Sequence, residues 1–85
     1  MNLIKKLKDF EGNYAFMRWL NSEEYGKIKY VGNDFIQFDI INVTDMEYCE
    51  TAFIRSNLIL EVLIGGSDIS RIIAEVSSKL SDINR

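Results

Sequence analysis

The stretch YGKIKYVGNDFIQFDIIN, Tyr25 to Asn42, decides the fold class. It reads as two β-strands joined by a tight turn, because runs of Ile, Tyr, Val and Phe flank Gly32-Asn33 and both turn residues tolerate positive φ. Gly26 opens the first strand and Asp34 closes the turn. In the second strand Ile36, Phe38 and Ile40 alternate with Phe35, Gln37, Asp39 and Ile41, and the first set is the expected core face. Lys27 and Lys29 share one face of the first strand, since side chains alternate with period two. The pattern predicts a small, mainly β domain.

Working outward, Asn2 can cap a short helix over 2–11 whose apolar stripe is Leu3, Ile4, Leu7 and Phe10, with Gly12 as its stop. So short a helix is marginal alone and must dock that stripe on the rest of the chain. Tyr14 to Leu20 reads as the first strand, largely apolar on both faces, and Asn21 to Glu24 as a polar turn before the central hairpin. Asn42 to Asp45 is a loop by composition. Glu47 to Arg55 and Leu58 to Ile64 follow as strands four and five, separated by Ser56-Asn57. LILEVLI is apolar at six of seven positions, the pattern of a strand covered on both faces. Gly65-Gly66 breaks that strand, and Ser67 or Asp68 caps a final helix over 67–83 with Ile69, Ile72, Ile73, Val76, Leu80 and Ile83 at helical spacing.

At 85 residues the chain holds one domain, 1–85, of a size at which a single core is only marginally sufficient. Apolar residues make up 47%, more than one small barrel hides, and the surplus points to burial against further copies of the chain. Cys49 is the single cysteine, so no disulfide forms within the chain. Histidine is absent, which removes the usual general base near neutral pH and the commonest metal ligand. No Walker or Rossmann glycine pattern occurs. These absences predict a protein that is not an enzyme and takes no cofactor. The opening MNLIKKLKDF has only Leu3 and Ile4 before its lysines, far from a signal-peptide core, and no apolar run reaches the roughly 18 residues of a membrane span, so the expected location is cytoplasmic with no membrane partner. Net charge is −3 and the isoelectric point about 4.8, against bulk attraction to nucleic acid. Any nucleic-acid site is therefore local, and the plainer reading of Lys5, Lys6, Lys8, Lys27 and Lys29 is ordinary solvated lysine.

Two segments resemble the motifs of the Sm-like (Sm/LSm/Hfq) domain. In WLNSEEYGKIKYVGNDFIQFDI a polar turn leads to a glycine, Gly26, then to alternating apolar residues, an acidic turn and another apolar strand. In AFIRSNLILEV an apolar pair precedes Arg55, two polar residues and an apolar strand, with Ser56 where the family carries glycine. The resemblance implies a strongly bent five-stranded, SH3-type barrel capped by the N-terminal helix, with the C-terminal helix as an addition. It also implies a homo-oligomeric ring closed by pairing strand four of one copy with strand five of the next, and single-stranded RNA bound at the inner rim. Counting from Gly26, the family's acidic, stacking and Asn positions fall on Gly32, Asp34 and Ile36, whereas a slipped turn would let Asn33 and Asp34 serve as the polar pair with Phe35 for stacking. The expected RNA site is then Asn33, Asp34, Phe35, Arg55 and Asn57, with Lys27 and Lys29 meeting phosphates. Two other readings stay open: a ring-forming protein-interaction module without RNA, and a monomeric SH3-like or OB-like barrel whose final helix covers strand five.

Overall fold

The computed structural model describes residues 3–83 and the side chains of residues 5–78. In chain order it has α1 (Leu3–Lys8), β1 (Tyr14–Trp19), β2 (Ser22–Val31), β3 (Phe35–Asn42), β4 (Glu47–Arg55), β5 (Ile59–Leu63) and α2 (Ser67–Ile83), with one 3₁₀ turn, Ser56–Leu58, between β4 and β5. The five strands form one antiparallel sheet in the order β4-β3-β2-β1-β5. The chain is thus mainly β as expected, but the sheet is not closed. The 3₁₀ turn carries the chain from one edge of the sheet to the other, and β5 then pairs with β1.

Strict alternation is interrupted three times. Register shifts leave Lys29, Leu60 and Cys49 as extra residues against β3, β1 and β3 respectively. Such bulges bend a strand and sharpen its twist. The curl gathers side chains from all five strands into one buried cluster, including Met17, Ile28, Ile36, Phe38, Ile54 and Ile59, with Leu7 of α1 sealing it. Ile36, Phe38 and Ile40 are all buried, as alternation predicts. Gly26 permits the closest approach in this core: a Cβ there would run into the Asp39 carbonyl oxygen and the Phe38 ring.

The opposite, outer face carries a second cluster. Ile72 and Val76 of α2 pack on Ile41 and Met46, flanked by Tyr14 and Tyr25. Ile41 is therefore buried although it alternates away from the main core. The chain reaches α2 through Gly65 and Gly66, whose φ of 91° and 96° lie in the left-handed region where glycine carries no penalty. Among the described residues no helix is long and apolar enough to cross a membrane.

Several boundaries differ from the sequence expectation. The first helix ends at Lys8, because residues 9 to 11 turn through bonds to carbonyls three residues back, and the Gly12 amide then donates to the Ile28 carbonyl of β2. Strand β2 begins at Ser22, so the first hairpin turns on Leu20 and Asn21 alone, with Leu20 at φ 49°. The central turn is displaced by one residue: the Gly32 amide donates to the Phe35 carbonyl at 2.8 Å, leaving Asn33 and Asp34 at the tip. A side chain at residue 32 would meet the Phe35 ring at 2.8 Å, so glycine is used here for close packing. Strand β5 is not covered on both faces; Ile59 is buried, but Leu60 is 64% and Leu63 50% exposed. In α2 the stripe lies on Ile69, Ile72 and Val76, with Ile73 partly exposed. The expected cap Asn2 and the side chains of Leu3, Ile4, Leu80 and Ile83 lie outside the described residues.

Candidate functional site

Two turns meet at one end of the sheet. Phe35 at the start of β3 faces Arg55 at the end of β4, and this register brings the β2–β3 turn beside the 3₁₀ turn that follows β4. The Ser56 amide donates to the Asp34 carbonyl at 2.9 Å, and the Ser56 hydroxyl donates to the same oxygen at 3.2 Å. Ser56 thus supplies a side-chain tie that a glycine at this position could not. Asn33, Asp34, Arg55 and Asn57 are all exposed around this tie, and Phe35 is half-buried. Five of the seven expected residues are therefore brought to one rim by these two turns.

Lys27 and Lys29 are not part of it. Lys27 pairs with Asp39 in the ladder, four residues from Phe35, or about 13 Å along the strand. Both lysines do share the outer face, as alternation predicts, and line an open depression with Asp39, Tyr48 and Thr51. The Lys27 ammonium sits 5.8 Å from the centre of the Tyr14 ring. Asp39 is engaged by the Thr51 hydroxyl at 3.0 Å, and the Tyr14 and Tyr48 hydroxyls are 2.9 Å apart. Ile36 is fully buried and offers no polar contact at the rim.

The sequence reading missed three participants. Ser56 reads there as a spacer, because its partner lies 22 residues away. Tyr30 should point inward by period two, but the bulge at Lys29 turns it outward, where it is 49% exposed. Phe53 carries a legible signal, since it stands two residues from Arg55 on the same face of β4; it is 68% exposed. The rim can hydrogen-bond and attract anions through Arg55. Cys49 Sγ donates to the Ile40 carbonyl at 3.5 Å. The chain matches no protein-family model, no curated protein and no solved structure.

Burial, the hydrogen bond with Tyr14 and the nearby Asp39 carboxylate push the Tyr48 hydroxyl above its ordinary pKa. A group whose folded pKa is raised adds stability that is intact below the unfolded value, near 10, and disappears as pH climbs through the folded value. Tyr48 should accordingly ionise above the ordinary tyrosine range in an alkaline ultraviolet titration, and Tyr48→Phe should remove the high-pH tail of the phenolate signal. A tail that persists in Tyr48→Phe would assign it to another residue.

Proposed function

We propose that the chain is a non-catalytic subunit of a cytoplasmic, Sm-like homo-oligomeric ring that binds single-stranded RNA at the rim formed by Asn33, Asp34, Phe35, Arg55 and Asn57. The observation that carries the reading is the tie between Ser56 and Asp34, which joins the turns of the two Sm-resembling segments. Self-association is supported by the sheet edges. Strands β4 and β5 are the two edge strands, and β5 presents exposed apolar side chains, Leu60 and Leu63. Unpaired edges seek strands, and head-to-tail pairing of two different edges ends only when a ring closes. Repetition of the rim in every subunit would give weak individual contacts avidity along one RNA strand.

The guanidinium of Arg55 is the rim's cation, and a hydrogen bond to a charged group is worth about 1.5–3 kcal/mol. Arg55→Ala should therefore weaken binding of a labelled oligouridine roughly 10- to 100-fold and reduce the salt dependence by about one counterion. Fluorescence anisotropy across a salt series measures both. A folded Arg55→Ala protein with unchanged affinity removes Arg55 from the site.

Two observations favour a ring that binds proteins instead. Ile36 is buried where the family uses Asn, and the net charge of −3 opposes a polyanion. No saturable binding of oligouridine or oligoadenosine at moderate salt, by a protein that is nonetheless multimeric, would select this second reading.

A further inference from the structure

The outer face of the sheet, beside the rim, carries a row of aromatic rings across three strands. The Tyr30 and Phe35 ring centres are 5.8 Å apart and tilted by 48°, and Phe35 and Phe53 are 6.3 Å apart and tilted by 49°. In the ladder Gln37 stands between Tyr30 on one side and Phe53 on the other, so the row follows the sheet crosswise from β2 to β4. Phe35 is held against Gly32, whereas Tyr30 and Phe53 keep about half or more of their surface in water despite these contacts. Helix α2 covers the other end of this face, where Ile72 and Val76 meet Ile41 and Met46. Neighbouring exposed rings of this kind mark an interaction surface more often than chance.

Cations bracket the row. On the β4 side Arg55 stands two residues beyond Phe53 and opposite Phe35, the middle ring, and on the β2 side Lys29, the bulged residue next to Tyr30, leads to Lys27. Asp39, the carboxylate opposite Lys27, is engaged by Thr51. Rings that accept any base on their faces, flanked by positive charge that accepts phosphates, are the components of a sequence-tolerant single-strand platform. We propose that the row Tyr30-Phe35-Phe53 stacks successive bases of single-stranded RNA on the outer sheet face, with Arg55 and Lys29 holding the backbone on either side. This rests on the reading that the chain binds RNA, but it requires no ring closure, because one chain supplies the whole platform.

The test compares labelled oligouridine and oligoadenosine binding by the full chain and by Tyr30→Leu, Phe53→Leu and the double variant. Leucine keeps apolar bulk on an exposed strand position and removes the π face, together with the hydroxyl at Tyr30. Each single variant should bind roughly 5- to 100-fold more weakly for both oligomers, with an unchanged salt slope because no charge is lost. Equal affinity in the variants, when the parent binds, overturns the platform and leaves the rim intact. Absence of binding by the parent overturns the RNA reading and the platform together. A changed native mass with unchanged RNA affinity assigns the row to contact between copies and also overturns it. Should the double variant fail to fold, ultraviolet crosslinking of the parent to a thiouridine-containing oligomer decides: adducts on Tyr30 or Phe53 support the platform, and adducts confined to the two turns overturn it.

Discussion

Gly26→Ala is expected to cost the domain about 3 kcal/mol, enough to leave a substantial fraction unfolded in a protein of this size. Propensity alone argues the reverse, since glycine inside a strand is roughly 0.5–1 kcal/mol worse than alanine. Local packing decides the sign. A Cβ on residue 26 would strike the Asp39 carbonyl oxygen and approach the Phe38 ring to 2.8 and 2.9 Å. That oxygen belongs to β3, which is laddered to β2 through Gly26–Ile40 and Lys27–Asp39, so it cannot retreat without breaking pairing. The Phe38 ring is fully buried and meets Trp19 edge-on at 6.0 Å, in an interior with little slack. Urea unfolding followed by Trp19 fluorescence gives the number. Adding Phe38→Leu to Gly26→Ala should make the two changes less than additive, because it removes the ring half of the clash and leaves the carbonyl half. A Gly26→Ala protein as stable as its parent would show that β2 and β3 do not need this approach.

What could be read from the sequence divides along local and non-local lines. Strand β4 spans Glu47–Arg55 and α2 spans Ser67–Ile83, matching the expected limits, because periodicity and glycine punctuation mark them locally. The alternation Ile36, Phe38, Ile40 identified the core face of β3 for the same reason. The bulges at Lys29, Cys49 and Leu60 had no such signal, since a register shift is a property of two strands together. Their consequence is specific: Tyr30 turns outward, and the ring that alternation assigns to the core joins the exposed row instead. The second face of β5 is open in the single chain, and six apolar residues in seven look alike whether that face is covered by the same chain or by another copy. The rim residues Asn33, Asp34 and Asn57 were visible as turn chemistry, and Arg55 through its resemblance to a motif. Their convergence was not visible, because it depends on the Phe35–Arg55 register and on a serine bonding across 22 residues.

Replacing Leu60 and Leu63 together by lysine is expected to abolish the ring proposed above while leaving the subunit folded. Both side chains lie on β5, an edge strand paired with β1, and both are at least half exposed in the single chain. The main core does not use them; its contribution from β5 is Ile59, with Val62 packed alongside. If β5 pairs with β4 of the next copy, these leucines move from water into the contact. Full burial of a leucine is worth about 1.5–3 kcal/mol, and only about half of each side chain is left to bury, so the pair contributes about 1.5–3 kcal/mol to each junction. At about 1.4 kcal/mol per tenfold, that weakens each junction roughly 10- to 100-fold before the cost of desolvating two ammonium groups is added. Lysine on an edge is also a device by which natural sheets prevent strand addition. Because closed symmetry repeats the same junction in every subunit, the loss is not confined to one place and the assembly fails as a whole. Light scattering coupled to size-exclusion chromatography, over a range of concentrations, reads the mass, and circular dichroism reads the fold. A double variant that keeps the parent's multimeric mass would locate self-association away from β5. A parent that is itself monomeric at every concentration would remove the ring, and RNA binding would then depend on what one chain presents, the rim and the aromatic row.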